Sequence, residues 1–363
     1  MPADGAVTDS PLDALWKHID SQAGPWNLLN VPALAEPLPP IPWLCEPLRL
    51  APGAVSLIAG YGYSRKTMAL QSLALSVAMG RDVWGLWSCR KGRVVHLDYE
   101  QGRRLTSERY QRLARGMGTE LAELDEHAMK VACLPRIYLE TQAAVDSLLP
   151  VVQGAALVIV DSLKAAFPHA DENSSDVRSY LDALSHLSER TGACVAVIHH
   201  ARKPNAQNGG TATHAIRGSS SLFDACQSVY VFEGEKDTPT TVHHQKDRIA
   251  GSTLPEFGLV SEDIPGSTGP RHGLVVRHLE AEQVTSVRER KTLAAEEARK
   301  LRARGMVAST LEKYAGRFQG SRDDLTRLVG GDRNAVQRAI SEMLTDGKLK
   351  SDGRGAERQW YSV

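Results

Sequence analysis

Seven short apolar runs constrain this chain more than any other feature: "AVSLIAG", "GRVVHLDYE", "KVACLP", "ALVIVDS", "ACVAVIHH", "SVYVFEG" and "HGLVVRHL". Their apolar character is continuous rather than alternating, which marks strands covered on both faces and therefore a mostly parallel sheet. Helical patterns lie between them. "TMALQSLALSVAMG" sets Leu70, Leu73, Ala74 and Val77 on one stripe, and "SDVRSYLDALSHLSER" does so with Val177, Tyr180, Leu181 and Leu184. Strand alternating with helix gives an open α/β sheet. A length of 363 residues leaves room for a second, smaller domain.

The first run leads into "GYGYSRKT", which nearly completes the phosphate-loop pattern G-x-x-x-x-G-K-[ST]. Gly60, Lys66 and Thr67 stand at the required spacing, between a strand and a helix, with Gly62 and Ser64 inside the loop. In such a loop backbone N–H groups and a helix N-terminus converge on phosphates, the lysine neutralises charge and the hydroxyl holds Mg²⁺. Arg65 stands where the pattern asks for glycine. Its side chain either impairs the cradle or points outward and adds a positive charge.

Three further carboxylates and two histidines lie at strand ends. Asp161, closing "ALVIVD", is placed to support Mg²⁺ beside the phosphates, or to cap a helix. Glu100, just past "VVHLDY", is placed to activate a water, with Asp98 as its rival. In "VIHHARK" neighbouring strand residues face opposite ways, so His199 and His200 cannot chelate one metal together. One of them is expected near the γ-phosphate while the other packs, with His199 carried as the candidate.

The remaining segments set the domain boundaries. Residues 1–40 read as an arm, because the prolines of "PALAEPLPPIPWLCEPLRLAP" oppose helix and sheet. Residues 41–280 hold the α/β domain. Residues 281–304 are charged helix formers with little apolar face, a solvated helical linker. Residues 305–363 order a helix, a Gly-Gly turn, a second helix and a hairpin, which suggests a winged helix-turn-helix. There Arg333, Asn334, Gln337 and Arg338 would face duplex DNA, with protein docking or regulation of the ring as the alternative uses of the module. Lys+Arg and Asp+Glu balance at 43 each, so nucleic-acid binding must come from such local patches. Five widely spaced cysteines form no C-x-x-C pair, and no apolar run approaches the roughly 20 residues of a membrane span. A soluble cytoplasmic protein is expected.

Order and spacing over about residues 40–280 resemble the RecA-like ATPases, in particular the hexameric replicative helicases of the DnaB type and the plasmid RepA-type helicases. The matching pieces are "GYGYSRKT", "LDYEQG", "VIVDS", "VIHHARK" and "AIRGSSSLFDACQSVYVF". The resemblance implies a RecA-like P-loop core binding ATP and Mg²⁺ between the subunits of a homo-oligomeric ring, a hexamer in that family. Lys246 and Arg248 resemble the K-x-R pair that completes a neighbour's site. The loop after the His-His strand would face the channel, with Arg202, Lys203 and Arg217 gripping single-stranded DNA by its phosphates. The expected activity is an ATP-driven DNA helicase of a plasmid, phage or mobile element. A non-hydrolysing replication regulator and a recombinase- or loader-like ATPase remain alternatives.

Overall fold

The computed structural model describes residues 29–53, 55–170, 177–200, 220–236, 238–264 and 272–363. The chain divides into two compact units that meet between Val284 and Thr285.

The larger unit is built on one nine-stranded sheet. Its strands are β1 (Val55–Gly60), β2 (Arg93–Asp98), β3 (Met129–Cys133), β4 (Ala155–Asp161), β5 (Cys194–His200), β6 (Ser228–Glu233), β7 (Thr240–Asp247), β8 (Phe257–Asp263) and β9 (Leu274–Glu280), in the order β3-β2-β4-β5-β1-β6-β7-β8-β9. From β3 to β6 every pairing is parallel, and β1 and β4 are buried at every position. The continuous apolar runs follow from that double cover. From β6 to β9 the pairings turn antiparallel. The expectation of a mostly parallel sheet thus holds for six strands, and "HGLVVRHL" proves to be the antiparallel outer strand.

Helices cover both faces. Leu70 and Leu73 of helix Lys66–Met79 and Tyr110 and Leu113 of helix Arg103–Gly116 join one core cluster, whereas Val177, Leu181 and Leu184 of helix Val177–Thr191 join the other. Helix Lys66–Met79 is buried well beyond the expected stripe, with Ala69, Leu75 and Ala78 also enclosed. The antiparallel strands explain this. Val242, Phe257, Leu259, Leu274 and Val276 enter the same cluster, and Trp84 donates from Nε1 to the Ala69 carbonyl at 3.2 Å.

The proline-rich segment is less irregular than expected. A one-turn helix forms at Val31–Ala35, because Pro32 falls in the first turn, where a missing N–H costs nothing, and Asn30 caps it. Farther on, Leu44, Cys45, Leu48 and Leu50 are buried in the first cluster. The first part of the expected arm, including "PLDALWKHIDSQ", lies outside the described residues. Among the described residues no helix is long and apolar enough to cross a membrane.

The linker and the first element of the smaller unit prove continuous, as one 33-residue helix, Ala281–Lys313. Ala303, Val307 and Leu311 on it form the small core with helices Arg322–Val329 and Arg333–Thr345 and a three-stranded antiparallel sheet. That sheet consists of β10 (Arg317–Gln319), β11 (Leu349–Asp352) and β12 (Gln359–Ser362), in the order β10-β12-β11. Gly330 and Gly331, with φ of 73° and 78°, make the left-handed turn between the helices. A capping box of Ser321 and Asp324 starts the first helix and Asp332 caps the second. Trp360 is fully buried at the centre and donates from Nε1 to the Gly320 carbonyl at 2.9 Å. Trp360→Ala is expected to destabilise this unit by about 3–5 kcal/mol, read by chemical denaturation followed by far-UV circular dichroism.

Candidate active site

The C-terminal ends of β1, β2, β4 and β5 converge on one edge of the sheet, where open α/β folds bind ligands. Residues 61–65 leave β1 there and enter helix Lys66–Met79. Gly60 has no alternative, since a Cβ on it would stand 2.3 Å from the Phe232 carbonyl oxygen of β6. Lys66 is buried, and its ammonium donates to the Gly60 and Tyr61 carbonyls, both at 2.8 Å, and to Ser64 Oγ at 3.1 Å. The Ser64 hydroxyl in turn donates to Tyr61 O at 2.7 Å. Burial lowers the Lys66 pKa to about 8, against the pull of Asp161 and Glu100.

Arg65 occupies the left-handed region, at φ 62° and ψ 19°, as the N-cap of the helix. Glycine enters that region freely, whereas a side chain raises the energy by roughly 1–2 kcal/mol. The guanidinium is directed at the antiparallel strands. Nε donates to Ser261 Oγ at 2.9 Å and Nη1 to the Thr238 carbonyl, with Thr240 Oγ1 at 3.4 Å.

Asp161 ends β4 fully buried, and neither carboxylate oxygen has a hydrogen-bond partner. Burial pushes its pKa up to about 6; the Thr67 hydroxyl is near enough to oppose this without reaching hydrogen-bond geometry, and Glu100 and Asp98 add to it. A carboxylate so placed is a ligand waiting for a hard cation. With the Thr67 hydroxyl it fits Mg²⁺, an oxygen-seeking ion. Bound between Thr67 and Asp161, Mg²⁺ would offset negative charge on the phosphates.

Glu100 lies just beyond β2 and is exposed. Its Oε1 accepts from the Ser162 hydroxyl and pairs with His200 Nε2 at 2.8 Å. The His200 hydrogen bond is the main reason its pKa falls below the usual carboxylate value. The two histidines, of which His199 was the expected candidate, are placed differently. His199 is buried on the opposite face of β5, its pKa lowered to about 4 by burial, while His200 is the one that reaches Glu100. Asp98 drops out as a rival, because Oδ1 accepts the Glu100 and Gln101 N–H groups and Oδ2 accepts the Thr106 hydroxyl. Strand alternation shows that the two histidines differ; it does not say which face carries the loop. Ser162 was visible only as the neighbour of Asp161.

Loop, Gln101 and His200 line a cleft of about 320 Å³. Arg109 and Lys236 line it too, two cations that no motif announced. Arg109 is held by the Gln101 side chain at 2.7 Å.

The family described as AAA domain, AAA_25, matches residues 23–206, just over half of the chain. The chain belongs to this AAA family. Its core is accordingly a P-loop ATPase domain, and the matched span contains the loop, Glu100, Asp161 and both histidines.

The other expected residues separate. Lys246 pairs with Val229 near the start of β6, so it stands at the sheet edge opposite the phosphate loop. Its ammonium donates to the Phe223 and Asp224 carbonyls and lies 4.9 Å from the Phe223 ring centroid. Arg248 is the first residue after β7, which ends at Asp247. Arg333, Asn334, Gln337 and Arg338 fall on helix Arg333–Thr345 of the smaller unit. Arg202, Lys203 and Arg217 lie outside the described residues.

The unpartnered carboxylate gives a test. At neutral pH its raised pKa costs the ligand-free fold about 3 kcal/mol. Its stabilising contribution is complete below about pH 4 and disappears as pH rises through 6, because the unfolded carboxyl ionises first. Asp161→Asn should therefore melt higher than the natural chain without nucleotide, with a gain that grows from pH 4 to 6 and then levels. Scanning calorimetry across pH 4–8 reads this out, and Mg²⁺ should no longer tighten nucleotide binding in the variant.

Proposed function

We propose that this AAA protein is a DNA motor that hydrolyses ATP between the subunits of a ring, a replicative helicase of a plasmid, phage or mobile element. The observation that carries the reading is the Glu100 carboxylate, fixed by Ser162 and His200 beside the buried Lys66 and Asp161. A carboxylate kept ionised, at the mouth of a phosphate loop, is suited to accept a proton from water.

The chain's own groups would act as follows. The Lys66 ammonium leaves the Gly60 and Tyr61 carbonyls for the β- and γ-phosphate oxygens, and the first N–H groups of helix Lys66–Met79 donate to the same phosphates. Glu100 orients a water against the γ-phosphorus. As the new P–O bond forms and the bond to the β-phosphate oxygen breaks, the water's proton passes to the Glu100 carboxylate and ADP leaves. Ser162 and His200 hold Glu100 in line.

The ring is supported by the position of Lys246. At the far edge of the sheet it cannot serve the site of its own chain, whereas a subunit stacked edge to edge would receive it. Lys246 and Arg248 would stabilise charge on the transferring phosphoryl group of that neighbour. Single-stranded DNA would contact Arg202, Lys203 and Arg217. In the smaller unit two helices followed by the β11–β12 hairpin support a winged-helix reading, with helix Arg333–Thr345 facing duplex DNA and Lys348, Lys350, Arg354 and Arg358 along the hairpin.

Steady-state ATP hydrolysis measured with and without single-stranded DNA tests this. The natural chain is expected to turn over faster with DNA, and Glu100→Gln to lose about 10²- to 10⁴-fold in kcat while still binding ATP. Turnover that ignores DNA would refute the motor. Absence of turnover in folded protein would favour a nucleotide-binding regulator instead.

A further inference from the structure

The phosphate loop is bonded from outside itself. Thr240, the first residue of β7, donates from Oγ1 to the Ser64 carbonyl at 3.2 Å. Arg65, the next loop residue, reaches back to Thr238 O, to Thr240 Oγ1 and, through Nε at 2.9 Å, to Ser261 Oγ on β8. Two consecutive loop residues are thus tied to the antiparallel strands, one by its backbone and one by its side chain. The tied position is the one where the backbone needs a left-handed residue and the usual pattern supplies glycine.

We propose that Arg65 is a positioning residue for nucleotide: a strut from β7 and β8 that holds the loop backbone in the left-handed geometry a glycine would otherwise provide. The inference rests on the reading of this loop as a nucleotide site. The strut's anchors lie at positions 238–261, beyond the AAA match that ends at 206. The first half of the chain therefore carries the phosphate-binding motif, and the second half sets its shape. An arginine suits the task because its guanidinium presents several donors in a rigid fork, so one side chain engages a carbonyl and two hydroxyls at once.

Three substitutions separate a strut from its alternatives. Arg65→Met keeps a long side chain and removes the donors. Arg65→Gly removes the strut and also the need for it. Ser261→Ala removes one anchor without touching the loop. Binding of ADP with Mg²⁺ to the full chain is measured by titration calorimetry, beside the ligand-free melting temperature of each variant. Arg65→Met is expected to weaken ADP binding about tenfold, Arg65→Gly to recover most of that loss, and Ser261→Ala to weaken binding less while adding little on top of Arg65→Met. Recovery by glycine is the decisive readout, because an arginine that merely stabilised the fold would be missed equally in both variants.

Equal weakening in Arg65→Met and Arg65→Gly, with Ser261→Ala silent, would overturn the proposal and show the guanidinium acting on the ligand itself. Unchanged binding in Arg65→Met would also overturn it. A natural chain that fails to bind where Arg65→Gly binds would make Arg65 an obstruction. If neither binds, the nucleotide reading fails, and this proposal with it. Should Arg65→Met not fold, Ser261→Ala carries the test, and its binding at natural strength would count against the strut.

Discussion

An ammonium and a carboxylate kept out of water at one sheet edge organise this molecule. Lys66 has only the carbonyls of its own loop and the Ser64 hydroxyl to solvate it, and Asp161 has no hydrogen-bond donor at all. Burial shifts each toward its neutral form. That arrangement is tolerable only because a parallel sheet, covered on both faces, surrounds it with rigid apolar packing. A phosphate carrying a cation would supply the partner that Asp161 lacks and a counter-charge for Lys66, whose present partners are all neutral, so the cost of the ligand-free site and its capacity to bind have the same source.

The antiparallel strands complete that packing. They enclose the helix that begins at Lys66, and they reach the loop through Thr240 and Arg65. The sheet edge is therefore held from two sides. The parallel strands deliver Glu100, Asp161 and His200, while β7 and β8 fix the loop between them.

Much of this was legible in the sequence, and the limits have physical reasons. Continuous apolar runs reveal β1, β2, β4 and β5 directly, because burial on both faces leaves no polar alternation to confuse with a helix. The run "FGLVSED" of β8 is apolar only at its start, so it gives a weaker signal. Lys66, Thr67, Glu100 and Asp161 are readable because a local motif places the first two at a helix start after a strand and the last two at or just past a strand end. The partners of Arg65 stand more than 170 residues away, and no local pattern encodes such a contact. The choice between His199 and His200 depends on which face of β5 meets the loop helix, and alternation alone leaves that undetermined. Pro32 misled because proline density is a property of a segment, whereas helix formation depends on where in the turn each ring falls.

The close approach at Gly60 bears on how such a loop can drift in evolution. A methyl group there would collide with the backbone of β6, which has no rotamer by which to yield, while Gly62 two positions on faces open space. Sequence variation in the loop is thus filtered unevenly. The first position admits no side chain, the third admits many, and the sixth has accepted an arginine because distant strands hold it. Relatives that depart from the glycine-rich consensus are best sought at the positions where geometry, rather than the written pattern, leaves freedom.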